Sequence, residues 1–152
     1  MAYVSLVMRQ HVAERANFQC EYCQSTERIT SGPMHVEHIT PQAAGGGTLS
    51  ENLAYACARC NLHKAIRISF PDPVSRKKTP LYNPRTQRWS RHFIWSEDGC
   101  RVIGRTRAGR ATILALNMND PTVVMSRSLW VQLGIHPPDK RWLKHITSQQ
   151  RM

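Results

Sequence analysis

The chain has 152 residues, 41% of them hydrophobic, which suits one ordinary globular domain and excludes a disordered chain. No apolar run approaches the length of a membrane span, and five cysteines in a chain expected in the cytoplasm point to metal, not disulfides. The net charge of +11 is unevenly placed: residues 1–74 hold six Lys/Arg and six Asp/Glu, residues 75–152 fifteen against four. That asymmetry predicts a polyanion, usually nucleic acid, gripped mainly through the second half; the plainer reading is a solubilising basic tail.

The opening MAYVSLVMRQ has no basic segment before its apolar patch and no small-residue cleavage pattern after it, so no signal peptide is expected. Met8, Val12 and Ala16 lie on one face of a predicted short helix, after which FQCEYC reads as a metal knuckle. MHVEHI alternates like a strand and runs into the loop TPQAAGGGTLSE. Leu53 to Ala56 predict a second strand, followed by the CARC turn and a helix carrying Asn61, Lys64 and Ala65.

Residues 67–90 hold four of the nine prolines and no clear period, which predicts an ordered but irregular connector. HFIWSEDGCRVIGRT reads as a hairpin turning at Asp98-Gly99. Thr106 is placed to cap a helix with Ala111, Leu114, Ala115 and Met118 on its apolar face. Asp120-Pro121 starts another helix that ends near Gly134, and a short helix is expected around Trp142 to Ile146.

Cys20-x2-Cys23 and Cys57-x2-Cys60 are two knuckles separated by 33 residues. Each supplies two thiolates from one turn, the donor set of a closed tetrahedral zinc site that holds a fold and leaves no position for substrate. Cys100 stands alone and reads as a core or strand residue.

Between the knuckles, Glu37-His38-Ile39, Pro41, Gly45-Gly46-Gly47, Asn52-Leu53 and Cys57 through Lys64 follow in order. This stretch resembles the HNH endonuclease family, in its variant with asparagine at the last motif position. The resemblance implies an α+β fold with a ββα-metal (His-Me finger) core, stapled by the four-cysteine zinc site. A basic C-terminal extension of a β-hairpin and helices would follow. The expected organisation is a nuclease module over 1–66, the connector over 67–90 and the extension over 91–152.

The chemistry fits that expectation. Phosphodiester hydrolysis needs an activated water and stabilisation of charge on the phosphoryl oxygens. A neutral histidine suits the general base. The resemblance assigns that role to His38, its support to Asn52, and the ligands of a catalytic Mg²⁺, Mn²⁺ or other divalent ion to Glu37 and Asn61. Each has a plainer reading: a hydrogen-bonded strand histidine, a solvated glutamate where the family more often has aspartate, a turn asparagine. His35 is either an auxiliary contact or a packed residue. His63, two residues past Asn61 and about 200° around a helix, faces away from whatever Asn61 faces.

Lys64, Arg85, Arg88, Arg105, Arg107 and Arg110 are the expected nucleic-acid contacts, while Trp89 and Trp95 are taken as core. The implied activity is metal-dependent cleavage of DNA leaving 5′-phosphate and 3′-hydroxyl ends. The alternative is an inactive, zinc-stabilised nucleic-acid-binding module. No membrane partner is expected, and a homodimer stays among the options.

Overall fold

The structure, a computed structural model, describes residues 3–138. Ser5 opens the first helix, α1 (Leu6–Arg15), its hydroxyl accepting the Met8 N–H at 3.1 Å, so one otherwise orphaned backbone donor is satisfied. A single turn, α2 (Glu27–Thr30), follows the first knuckle. Strands β1 (Met34–His38) and β2 (Leu53–Cys57) then pair antiparallel, with Glu37 opposite Ala54 and His38 opposite Leu53.

Strand alternation gives this hairpin two buried faces. Val36, Leu53 and Tyr55 pack against Val12 and Ala13 of α1. Ala54 and Ala56 pack with the four cysteines, and Glu37, on the same face, reaches Lys64 of the next helix, α3 (Ala58–Lys64). Burying Leu53 completely is worth about 2 kcal/mol, and few residues of this size stand behind it in the module. The expected strand–loop–strand–helix order is present, with Ala65 just past the end of α3 in a positive-φ conformation.

The connector is less irregular than its prolines predicted. Strands β3 (Ser69–Pro71) and β4 (Lys78–Pro80) form a small hairpin. Its turn is organised by Asp72, whose carboxylate accepts the Ser75 N–H at 2.9 Å and whose carbonyl accepts the Arg76 N–H at 2.8 Å. Pro71 and Pro80 sit at strand ends, where a missing N–H is tolerated.

One turn, α4 (Trp89–His92), leads into β5 (Phe93–Trp95), which pairs with β6 (Val102–Gly104). The turn between them is wider than Asp98-Gly99 alone: Ser96 and Arg101 close it, and Asp98 accepts from both Ser96 and Cys100. Thr106 caps α5 (Arg107–Ala115) through the Gly109 N–H at 3.0 Å. Ala111, Ala115 and Met118 are buried as expected, but Leu114 is half exposed and Thr112 takes the core position. The buried Thr112 hydroxyl accepts from Tyr82 N and donates to Ala108 O, so burial leaves it satisfied.

Asp120 caps α6 (Pro121–Gln132), which ends before Gly134 at φ +71°. Trp89 and Trp95 pack on the core with Phe93, as expected. The helix expected around Trp142 to Ile146 lies outside the described residues.

Candidate active site and metal centre

The two knuckles converge. The sulfur atoms of Cys20, Cys23, Cys57 and Cys60 all lie within 4.8 Å of one another and all four residues are buried, an arrangement that can hold a metal such as zinc. In each knuckle the first sulfur accepts the backbone N–H of the second cysteine at 3.5 Å, the tight turn that aims two thiols at one point. Burial pushes the Cys20 thiol well up. The donor chemistry therefore fits a divalent, thiophilic ion.

Three interactions tie this cluster to the rest of the chain. Trp89 donates its indole N–H to Tyr22 O at 2.7 Å. Arg85 is ion-paired with Glu21, and Arg59 of α3 lies 3.7 Å from Asp120 at the start of α6. A cavity of about 260 Å³ lies beside the cluster, bounded by Cys57, Arg59, Met118, Arg127 and Trp130 among others; His38, Asn52 and Asn61 do not line it. The candidate chemistry lies elsewhere, at the end of the β1–β2 hairpin.

There Asn52 acts as a clamp. Its Oδ1 accepts the Thr40 N–H at 2.9 Å, and its Nδ2 donates to Thr40 O at 2.9 Å and Gly47 O at 2.8 Å. The loop thus closes on itself and leaves Thr48 with its hydroxyl 2.9 Å from His38 Nε2. Gly46 makes the closure possible, because a β-carbon there would collide with Thr40 O and crowd the Asn52 amide. His38 is half-buried, and its other ring nitrogen has no hydrogen-bond partner among the described residues. Thr48 was not legible as a site residue: nothing in a glycine-rich loop says which hydroxyl will meet the histidine.

Glu37 is placed differently from the expected open metal ligand. It is 7% exposed, and both carboxylate oxygens are taken. Tyr22 donates its hydroxyl to Oε1, while the Lys64 ammonium lies 2.9 Å from Oε2. Burial pushes the Glu37 carboxyl up, opposed by the Lys64 charge and the Tyr22 hydrogen bond. Tyr22, inside the first knuckle, was the unrecognised partner.

A catalytic divalent ion does not fit at Glu37 in this arrangement, since a cation already holds the carboxylate. Asn61 is half-buried one turn before Lys64, and its side chain makes no hydrogen bond to the described residues. His63 is also half-buried, and its carbonyl accepts from Arg67 at 2.6 Å; His35 is half-buried on β1.

Three of the six expected nucleic-acid contacts are engaged inside the molecule. Lys64 is 1% exposed, because its stem passes under the hairpin to reach Glu37. Arg85 is ion-paired with Glu21, 12% exposed at the side chain. Arg110 holds the buried Asp72 through Nε at 2.8 Å and Nη2 at 3.0 Å, which fastens the β3–β4 hairpin to α5. The Arg110 guanidinium keeps the Asp72 carboxyl well below the usual carboxylate range. Arg88, Arg105 and Arg107 are exposed.

No curated protein and no solved structure matches the chain. A protein-family model does. Residues 20–66, which contain both knuckles, the clamped loop and the ββα hairpin and helix, match the model of the HNH endonuclease family.

Proposed function

We propose that the module hydrolyses phosphodiester bonds in DNA, leaving 5′-phosphate and 3′-hydroxyl ends. The observation that carries this reading is the Asn52 clamp with Thr48 on His38 Nε2. With Nε2 donating to Thr48, Nδ1 keeps the lone pair that a general base requires. His38 Nδ1 takes a proton from water as the water oxygen bonds to phosphorus. The bond from phosphorus to the 3′ oxygen breaks, and that oxygen leaves with a proton from solvent. Asn52 and Thr48 are positioning residues in this scheme, holding the imidazole and touching no substrate. A general base of this kind contributes about 10²- to 10⁴-fold in rate.

In this reading zinc at Cys20, Cys23, Cys57 and Cys60 supports the fold, and DNA affinity comes from the exposed Arg88, Arg105 and Arg107. Four thiols kept for metal suit a reducing compartment, so the cytoplasm remains the proposed location. One observation favours a second reading, a zinc-stabilised module that binds nucleic acid without cutting it: the closed Glu37 carboxylate.

Supercoiled plasmid incubated with zinc-loaded wild type and His38→Ala, with Mg²⁺, Mn²⁺ or a chelator of those ions, decides between them. Nicking by wild type, reduced at least about 100-fold in His38→Ala, is expected. Equal nicking by both proteins would sink the His38 assignment. Plasmid retardation without nicking under every condition would favour the binding module.

A further inference from the structure

We infer that in this chain the Lys64 ammonium is the resident cation of the Glu37 carboxylate, so Glu37 is not a ligand of a divalent ion. The inference deepens the nuclease reading and rests on it for naming Glu37 a candidate ligand. Its test reads metal binding, not cleavage, so the two can fail separately.

The lysine is held as a bound cation would be. Its Nζ lies 2.9 Å from Glu37 Oε2, 3.2 Å from His38 O and 2.9 Å from Ile39 O. Three acceptors match the three hydrogens of an ammonium, which has nothing further to donate. The remaining oxygen of Glu37 accepts from Tyr22, so the carboxylate presents no free oxygen to its surroundings. Neither member of the pair reaches bulk solvent: Glu37 is 7% and Lys64 1% exposed.

A hard divalent ion needs more room than this. Magnesium keeps several waters and demands near-octahedral geometry, neither of which a closed carboxylate allows. An ion bound at Oε2 would also stand within a few ångströms of the ammonium, where like charges repel strongly in a dry interior. The ammonium would have to leave. The neighbouring cavity, about 250 Å³ and lined by Lys64, Arg67, Leu81, Tyr82 and Gln87 among others, has no carboxylate among its described lining residues to receive it. Expulsion would therefore leave one buried charge without its partner.

Mn²⁺ binding to the zinc-loaded full chain, read from the electron paramagnetic resonance signal of free Mn²⁺, tests this. Glu37→Gln is expected to change Mn²⁺ affinity by less than about twofold. Lys64→Met, which keeps the stem and removes the charge, is expected to raise affinity about tenfold, and Glu37→Gln added to it should abolish the gain. A tenfold or greater loss in Glu37→Gln alone would overturn the inference, as would a folded Lys64→Met protein with unchanged affinity.

Where Lys64→Met does not fold, the ¹⁵N resonance of the Lys64 ammonium in wild type decides. Insensitivity to saturating Mg²⁺ supports the inference, and loss or a large shift of the signal with Mg²⁺ overturns it.

Discussion

Lys64 and Arg127 are both buried cations, one in each half of the molecule, and they are neutralised in different ways. Lys64 has a carboxylate of its own module beside it. Arg127, on α6, is 0% exposed and has no carboxylate partner among the described residues. Its guanidinium donates to Cys100 O at 3.1 Å and Met118 O at 2.7 Å, and lies 5.2 Å from the Trp95 ring centroid. Burial lowers its pKa, and the charges that oppose this most are on Cys23 and Cys60. Four thiolates around one divalent zinc total two negative charges. With zinc bound there as proposed, the extension's buried cation leans on the charge of the thiol cluster, whereas the Glu37–Lys64 pair needs no metal for its neutrality.

The largest effect should come from attacking that dependence. Removing zinc with a chelator is expected to unfold the module, since structural zinc sites are worth about 10–16 kcal/mol. Hydrogen exchange should then show amides of α6 losing protection together with those of β1 and β2. Protected α6 amides in zinc-free protein would break the comparison, because the extension would then stand without the cluster.

Acid probes the same corner more gently. His136 is buried beside Trp95, with Nε2 3.0 Å from Gly99 O, and burial lowers its pKa to about 4, with Arg127 adding to the shift. The folded protein thus holds it neutral, while the unfolded chain protonates near the ordinary histidine pKa of about 6.5. Its contribution is complete above that value and is lost as pH falls toward 4, up to about 3 kcal/mol. Urea midpoints of wild type and His136→Gln across this range should converge toward the acid end, which separates the effect from acid release of zinc. A constant difference would remove His136 as the source.

The smallest effect separates arginines that face solvent from those engaged inside. Replacing Arg88, Arg105 and Arg107 with alanine should lower the slope of log affinity against log salt by roughly 2–3, about 0.9 for each phosphate contact on duplex DNA. Arg85→Ala and Arg110→Ala should leave that slope unchanged and lower stability instead, since both side chains hold internal carboxylates. A salt slope that responds equally to both groups would erase the distinction.

Much of this was legible along the chain because it is local. Cys-x2-Cys spacing, capping Thr106 and Asp120, and alternation over Met34 to His38 each depend on a few neighbouring residues. Which cations stay free was not legible. Lys64, Arg85 and Arg110 look like Arg88, Arg105 and Arg107 in the sequence, and their partners lie 27, 64 and 38 positions away.

The sequence by itself determined that two thiol pairs, a strand-borne His38 and a glycine-rich loop ending at Asn52 would form a ββα module beside a four-thiol cluster, since spacing and backbone conformation are short-range properties. Only the tertiary structure decided that Glu37 faces Lys64 and Tyr22 instead of open solvent. The long-range approach of α3 and the first knuckle to one face of the hairpin sets that environment, and environment determines whether a carboxylate meets an ammonium or a metal ion.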